Sequence, residues 1–170
     1  MIPFFFTCLV SYDNKPGAEA YRVWALVILI VASLTDALDG FIARAWKIRT
    51  ELGRFLDPLA DKLLLLSGYL GLLFVQQLPF HPPLWITVTI VFRDLLIVTG
   101  MILIYFISGR LRVQPNYLGK CTTALQMITL IAILANWKIS IPLYYLMAAF
   151  TILSMINYSV RELRLLKNGS

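Results

Sequence analysis

The chain has 170 residues, of which 59% are hydrophobic and only 14% are charged, and its formal net charge is +6. Soluble domains carry about 25% charged residues, so this composition predicts one membrane domain over residues 1–170 rather than a soluble core. The two cysteines lie far apart in apolar surroundings, with neither a disulfide framework nor metal-ligand spacing. No basic patch is interleaved with aromatic residues, so nucleic-acid binding is not expected.

Six apolar segments follow one another along the chain. The first, residues 1–11, is too short to span a bilayer unaided, so either the native start is missing or the first helix is short. The sequence therefore predicts an all-α integral membrane protein with a bundle of six transmembrane helices. The other apolar segments are residues 23–34, 63–75, 84–107, 121–137 and 141–158.

Basic residues are concentrated in alternate connections. They cluster in residues 44–54, 108–120 and 161–170, whereas the intervening connections have little net charge. Because cytoplasmic loops carry an excess of Lys and Arg, this pattern predicts that both termini lie on the cytoplasmic side, as in a bacterial inner membrane or its equivalent. It also attributes most of the net charge to membrane orientation.

Four aspartates stand out in TDALDGFIARAWKIRTELGRFLDPLADKL, residues 35–63: Asp36, Asp39, Asp57 and Asp61. Spacings of three and four residues put each pair on one face of a helix. If the connection folds the two helices antiparallel, all four carboxylates converge and require a cation. Oxygen ligands suit Mg²⁺ or Mn²⁺, and an intramembrane carboxylate, which costs about 2.5–3.5 kcal/mol on insertion scales, indicates function.

Small and basic residues accompany the aspartates. Gly40, Ala43 and Gly53 leave room on the helix faces, and Arg44 presents a planar fork suited to phosphate oxygens. Together these features predict a pocket for a metal-bound nucleotide diphosphate, in which two ions could stabilise the leaving group and an aspartate could accept a proton. Pro58 predicts that the second helix either begins there or bends there.

The stretch reads D-x2-D-G-x2-A-R-x8-G-x3-D-x3-D and resembles the signature of the CDP-alcohol phosphatidyltransferase family, membrane enzymes of phospholipid synthesis. The resemblance implies a six-helix membrane fold, often a homodimer, with two divalent ions held by the four aspartates. It implies that Asp61 is the base that activates the acceptor hydroxyl. Gly40, Ala43, Arg44 and Gly53 would line the CDP site. The reaction would be attack on CDP-diacylglycerol with release of CMP.

The residues that choose the acceptor are expected on later helices. Arg93 lies well inside an apolar segment, and the adjacent Asp94 points about 100° away on a helix. Arg93 therefore either has a partner elsewhere or forms a buried structural ion pair. Arg110, Arg112 and Lys120 lie at the cytoplasmic level of the aspartates and could hold an anionic acceptor. For Arg110 and Arg112, the alternative is plain orientation charge.

The segment GKCTTALQ, residues 119–126, resembles the GK-x-KT-x2-Q pattern of bacterial phosphatidylglycerophosphate synthases, with Thr122 in place of the second lysine. With Arg93 and Asp94 it also resembles mitochondrial-type cardiolipin synthases of the same family. We expect glycerol-3-phosphate as the acceptor, with phosphatidylglycerol as the alternative. More distant alternatives are a membrane prenyltransferase and a non-enzymatic cation transporter.

Overall fold

The computed structural model describes residues 2–12, 17–45, 51–75, 78–108 and 117–168. Within these ranges the regular structure is entirely helical, which confirms the all-α part of the predicted fold class. The helices are α1 (Ile2–Ser11), α2 (Glu19–Ala45), α3 (Glu51–Phe74), α4 (Leu84–Ser108), α5 (Tyr117–Leu134) and α6 (Ser140–Asn168).

Side-chain contacts show that α2 and α5 run antiparallel. Near the start of α2, the Arg22 guanidinium donates to the Leu134 carbonyl at the end of α5. Farther along α2, the Ser33 hydroxyl lies 3.3 Å from the Met127 sulfur, which is earlier in α5. Residue numbers therefore rise along one helix as they fall along the other.

Helices α3 and α5 run in the same direction. The Lys62 ammonium donates to the Thr123 hydroxyl at 3.1 Å, and one to two turns later the Tyr69 hydroxyl donates to the Gln126 carbonyl at 2.9 Å. Since α2 is antiparallel to α5, it is also antiparallel to α3. The end of α2 and the beginning of α3 therefore lie at the same end of the bundle, which we call the acidic end because both aspartate pairs belong to it.

Helix α1 packs closely on α3 at two glycines. A Cβ atom at Gly68 would clash with the Leu130 side chain and contact Phe5, and one at Gly71 would clash with Leu9. Phe5 and Leu9 are fully buried. Small residues let helix backbones approach closely, as is common where transmembrane helices associate. The first apolar segment is therefore helical over Ile2–Ser11 and packs into the core.

The exterior of the bundle is unusually apolar, whereas several polar side chains are buried inside it. Large hydrophobic side chains are exposed along the described parts of α2, α4 and α6. Among the described residues, one stretch, Ser140–Asn157, is long and apolar enough to cross a membrane by length and composition. Ile2–Ser11 and Leu118–Leu134 are shorter apolar helices. Contiguous exposed apolar surface of this kind marks contact with lipid or with another protein.

The boundaries of α2 and α3 correct one part of the sequence interpretation. Residues 44–54 were expected to be a connection, but α2 continues to Ala45 and α3 begins at Glu51. Arg44 and Arg54 therefore lie within helices. Pro58 is the eighth residue of α3, so of the two alternatives given for this proline, the one in which the helix begins there is wrong.

Candidate functional site

The four aspartates lie on the two helices that meet at the acidic end. Asp36 and Asp39 belong to the last ten residues of α2, and Asp57 and Asp61 to the first eleven of α3. The two helices contact each other and are antiparallel. An antiparallel arrangement was the requirement, in the sequence analysis, for the four carboxylates to converge. The Asp39 side chain is exposed and that of Asp61 is partly buried. The carboxylates of Asp36 and Asp57 lie outside the described residues.

The other residues expected at the site are described only in part. Of those expected to bind the acceptor, Arg110 and Arg112 fall outside the described residues. Lys120 is exposed at the beginning of α5, which lies at the acidic end. The four residues expected at the CDP site lie on the same two helices as the aspartates: Gly40, Ala43 and Arg44 on α2 and Gly53 on α3. Their backbones are helical, and the side chains of Ala43 and Arg44 are outside the described part.

A metal centre at these aspartates stays a prediction. Among the side chains that the structure describes, no group of three or more His, Cys, Asp or Glu residues could hold an ion. Of the predicted ligands, only Asp39 and Asp61 have side chains among the described ones. The donor chemistry itself fits a hard divalent cation, because all four predicted ligands are carboxylates.

Asp94 is the centre of a buried polar cluster. Asp94 and Arg93 are each only 2% exposed. The Asp94 Oδ1 atom accepts from Arg93 at 2.7 Å and from Lys62 at 2.8 Å, and Oδ2 accepts from Gln126 at 3.2 Å. Arg93 also donates to the Ser154 hydroxyl at 2.9 Å. The cluster therefore joins α3, α4, α5 and α6 at one level.

This cluster resolves the question of the partner of Arg93. Asp94 is a partner despite the 100° between adjacent helical residues, because the long arginine side chain can fold back to its neighbour. Ser154 on α6 is a second partner. Sequence reasoning missed Lys62, although a lysine at the start of an apolar segment could have signalled a buried carboxylate elsewhere.

Two cations share one carboxylate in this cluster. Lys62, Arg93 and Asp94 together keep a formal charge of +1, and the Lys62 side chain is only 13% exposed. Removing one partner of a buried ion pair leaves an uncompensated charge, which typically destabilises a protein by about 3–5 kcal/mol. The three charged side chains are therefore held by ion pairs to one shared carboxylate.

Adjacent threonines of α5 face different helices. Thr122 is fully buried, and its hydroxyl lies 3.4 Å from the Phe150 carbonyl of α6. Thr123 instead accepts from Lys62 of α3. The position at which a lysine was expected therefore lies on the α6 side of α5, and the neighbouring position lies on the α3 side.

Over the described residues, the fold and the site define a class: a helical bundle with an apolar exterior that carries two pairs of aspartates at one end. The family model of the CDP-alcohol phosphatidyltransferases matches residues 1–156. The chain belongs to the CDP-alcohol phosphatidyltransferase family, whose members are membrane enzymes. This confirms the family resemblance of the aspartate signature, and it leaves the prenyltransferase and transporter alternatives without support.

Three relatives indicate the range of activities among similar proteins. The chain is 36% identical over 168 residues to CDP-diacylglycerol--glycerol-3-phosphate 3-phosphatidyltransferase of Sodalis glossinidius, a match covering 93% of this chain and 86% of that protein. It is 31% identical to the probable phosphatidylglycerophosphate synthase of Mycobacterium tuberculosis, over 96% of this chain and 77% of the relative. It is 39% identical over 102 residues to cardiolipin synthase (CMP-forming) of Streptomyces coelicolor, over 59% of this chain but 44% of that protein.

Proposed function

We propose that the protein transfers a phosphatidyl group from CDP-diacylglycerol to glycerol-3-phosphate. The observation that carries this proposal is the 36% identity, over 93% of the chain, to a relative named for that reaction. The acceptor hydroxyl oxygen attacks the lipid-side phosphorus, the bond from phosphorus to the CMP oxygen breaks, and the acceptor proton passes to Asp61. CMP and the phosphatidyl ester are the products.

The acidic end supplies the groups that this reaction needs. Two divalent cations, Mg²⁺ or Mn²⁺, held by Asp36, Asp39, Asp57 and Asp61 would neutralise the diphosphate and the charge on departing CMP. The antiparallel arrangement of α2 and α3 supports such a shared site.

Side chains of the same helices would hold the nucleotide. Arg44 would bind diphosphate oxygens through its planar fork. Gly40, Ala43 and Gly53 would leave space for the CDP moiety. All four positions belong to the two helices that carry the aspartates, within the halves that lie at the acidic end, which supports their assignment to one pocket.

We assign the acceptor phosphate to basic residues near the start of α5. Lys120 lies there, and Arg110 and Arg112 are seven and five residues before the first residue of the helix, Tyr117. Arg93, in contrast, uses two of its nitrogen atoms for Asp94 and Ser154. Because Arg93 is buried, we assign it a structural role next to the acceptor site rather than direct contact with the acceptor phosphate.

Phosphatidylglycerol is the second candidate acceptor, as in a cardiolipin synthase. It is favoured by the Streptomyces coelicolor relative, which is the most similar in percentage identity of the three above but matches only part of this chain. The structure supports glycerol-3-phosphate in one respect. Thr122 faces α6, so a lysine at this position would also be attached on the α6 side of α5. Having threonine there therefore leaves the charge on the α3-facing side of α5 unchanged.

An acceptor panel tests the function. Purified protein in detergent is given CDP-diacylglycerol, Mg²⁺ and one candidate alcohol at a time, with CMP release and product mass as the readouts. We expect phosphatidylglycerophosphate with glycerol-3-phosphate as acceptor. Cardiolipin formed from phosphatidylglycerol, with no product from glycerol-3-phosphate, would instead establish the second candidate. No CMP release with any alcohol would overturn both.

We also infer that the bundle spans a bilayer with the acidic end toward the cytoplasm. Three tryptophans, Trp24, Trp85 and Trp137, lie at the opposite end and are 60%, 53% and 59% exposed, as in the aromatic belt of a membrane interface. Basic residues are concentrated in sequence near the acidic end, which supports a cytoplasmic orientation. A homodimer is proposed on the family resemblance alone.

Replacing Lys120 tests the acceptor assignment. We expect Lys120→Ala to raise the KM for glycerol-3-phosphate about tenfold while the KM for CDP-diacylglycerol changes little, because a charge-assisted bond to phosphate contributes about 1.5–3 kcal/mol. The matched control is Lys138→Ala, since Lys138 is also exposed but follows α5 at the opposite end. Equal acceptor KM values in the two variants would remove Lys120 from the acceptor site.

A further inference from the structure

Lys62 connects the helix that carries Asp61 to the helix that carries Lys120. Its ammonium donates to Asp94 at 2.8 Å and to Thr123 at 3.1 Å. Lys62 directly follows Asp61 on α3, and Thr123 is one helical turn after Lys120 on α5. The two ends of this Lys62–Thr123 bridge therefore lie within one helical turn of the predicted base, Asp61, and of the predicted acceptor-binding residue, Lys120.

We propose that Lys62 is a positioning residue for phosphatidyl transfer, fixing the α3 turn with Asp61 against the α5 turn with Lys120. This inference rests on the proposed function and deepens it. The phosphate of the acceptor would bind to α5, and the acceptor hydroxyl would lose its proton to Asp61 on α3. The separation between these turns therefore decides whether the hydroxyl reaches the base, and a misplacement of about 1 Å can cost about a hundredfold in rate.

The bridge is anchored more firmly than a surface lysine would be. Asp94 also accepts from Arg93 at the same Oδ1 atom and from Gln126 at Oδ2, and these bonds oppose its movement with Lys62 if α3 shifts. Arg93 in turn is bonded to Ser154 on α6. Lys62 thus ties α3 to a carboxylate whose place is set by three other helices.

Electrostatics couples the bridge to the acidic end. Lys62 and Arg93 both donate to the Asp94 Oδ1 atom, so two cations share one carboxylate and the three side chains have a formal charge of +1. Lys62 directly follows Asp61 on α3, so this group of charges lies beside the proposed base.

Thr123→Val is the sharpest test, because it removes one bond of the bridge and leaves the three charged side chains and their ion pairs in place. Its matched control is Thr129→Val on the same helix, since the buried Thr129 hydroxyl has no hydrogen-bond partner among the described residues. We expect Thr123→Val to lower kcat/KM for glycerol-3-phosphate about tenfold relative to Thr129→Val. The thermal midpoints of the two variants should be similar, and the KM for CDP-diacylglycerol should be unchanged.

Two further variants separate positioning from stability. Lys62→Met should lower kcat per folded protein about a hundredfold, and Lys62→Arg should recover most of that loss because it restores a cation to Asp94 and Thr123. Acceptor kcat/KM values within twofold for Thr123→Val and Thr129→Val would overturn the positioning role. So would a Lys62→Met protein that loses thermal stability but retains wild-type turnover.

The wild-type control distinguishes the two levels of the inference. If wild-type protein releases no CMP from CDP-diacylglycerol with any alcohol, the proposed function fails. If wild-type protein is active and Thr123→Val is as active as Thr129→Val, the function stands and only the role of Lys62 fails.

Discussion

Asp61→Asn is expected to lower kcat by about 10²–10⁴-fold, the range that a positioned general base contributes. The amide has nearly the same shape as the carboxylate, so α3 should pack as before. It carries no negative charge and does not accept the proton of the acceptor hydroxyl. The measurement is the rate of CMP release at saturating CDP-diacylglycerol and glycerol-3-phosphate, normalised to folded protein.

Binding and a matched control make the result specific. The variant should insert into membranes and bind CDP-diacylglycerol with an affinity near that of the wild type. Glu19→Gln is the control, because this exposed carboxylate at the far end of α2 pairs only with Arg22 among the described contacts. Its rate should match the wild type. A wild-type rate in Asp61→Asn would remove Asp61 as the base.

Chelation of divalent ions is expected to lower product formation by about 10²-fold or more, since a metal contributes several kcal/mol to charge stabilisation and each 1.36 kcal/mol is tenfold in rate. Adding Mg²⁺ or Mn²⁺ should restore the rate. The physical reason is that four carboxylates converging as proposed would repel each other and the substrate diphosphate unless cations lay between them. The measurement is the yield of phosphatidylglycerophosphate by mass.

Controls exclude loss of folded protein as the cause. Chelator that is already saturated with Mg²⁺ should leave the rate unchanged, and helix content by circular dichroism should be the same with and without chelator. Ca²⁺, which prefers longer bonds and more ligands than Mg²⁺, is a useful comparison ion. Undiminished product after complete removal of divalent ions would contradict a metal role for the aspartates.

Local signals were sufficient for much of the architecture. The lengths of the apolar segments predicted six helices, and the spacing of the aspartates predicted two pairs on helix faces. The boundaries near residues 44–54 were wrong because charge was read as a sign of a loop. Arginine and glutamate, the residue types at positions 44, 51 and 54, have good helix propensity. A helix that reaches the membrane surface can therefore include them.

The sequence by itself determined the family, the helical class and the acidic pairs, because these depend on residue type and on spacings within a few positions. Only the tertiary structure decided that Lys62 meets Asp94, that Arg93 bonds to both its neighbour and Ser154, and that Thr122 and Thr123 face different helices. These contacts join residues up to 61 positions apart. They follow from the relative direction and rotation of packed helices, which no periodicity within a single helix specifies.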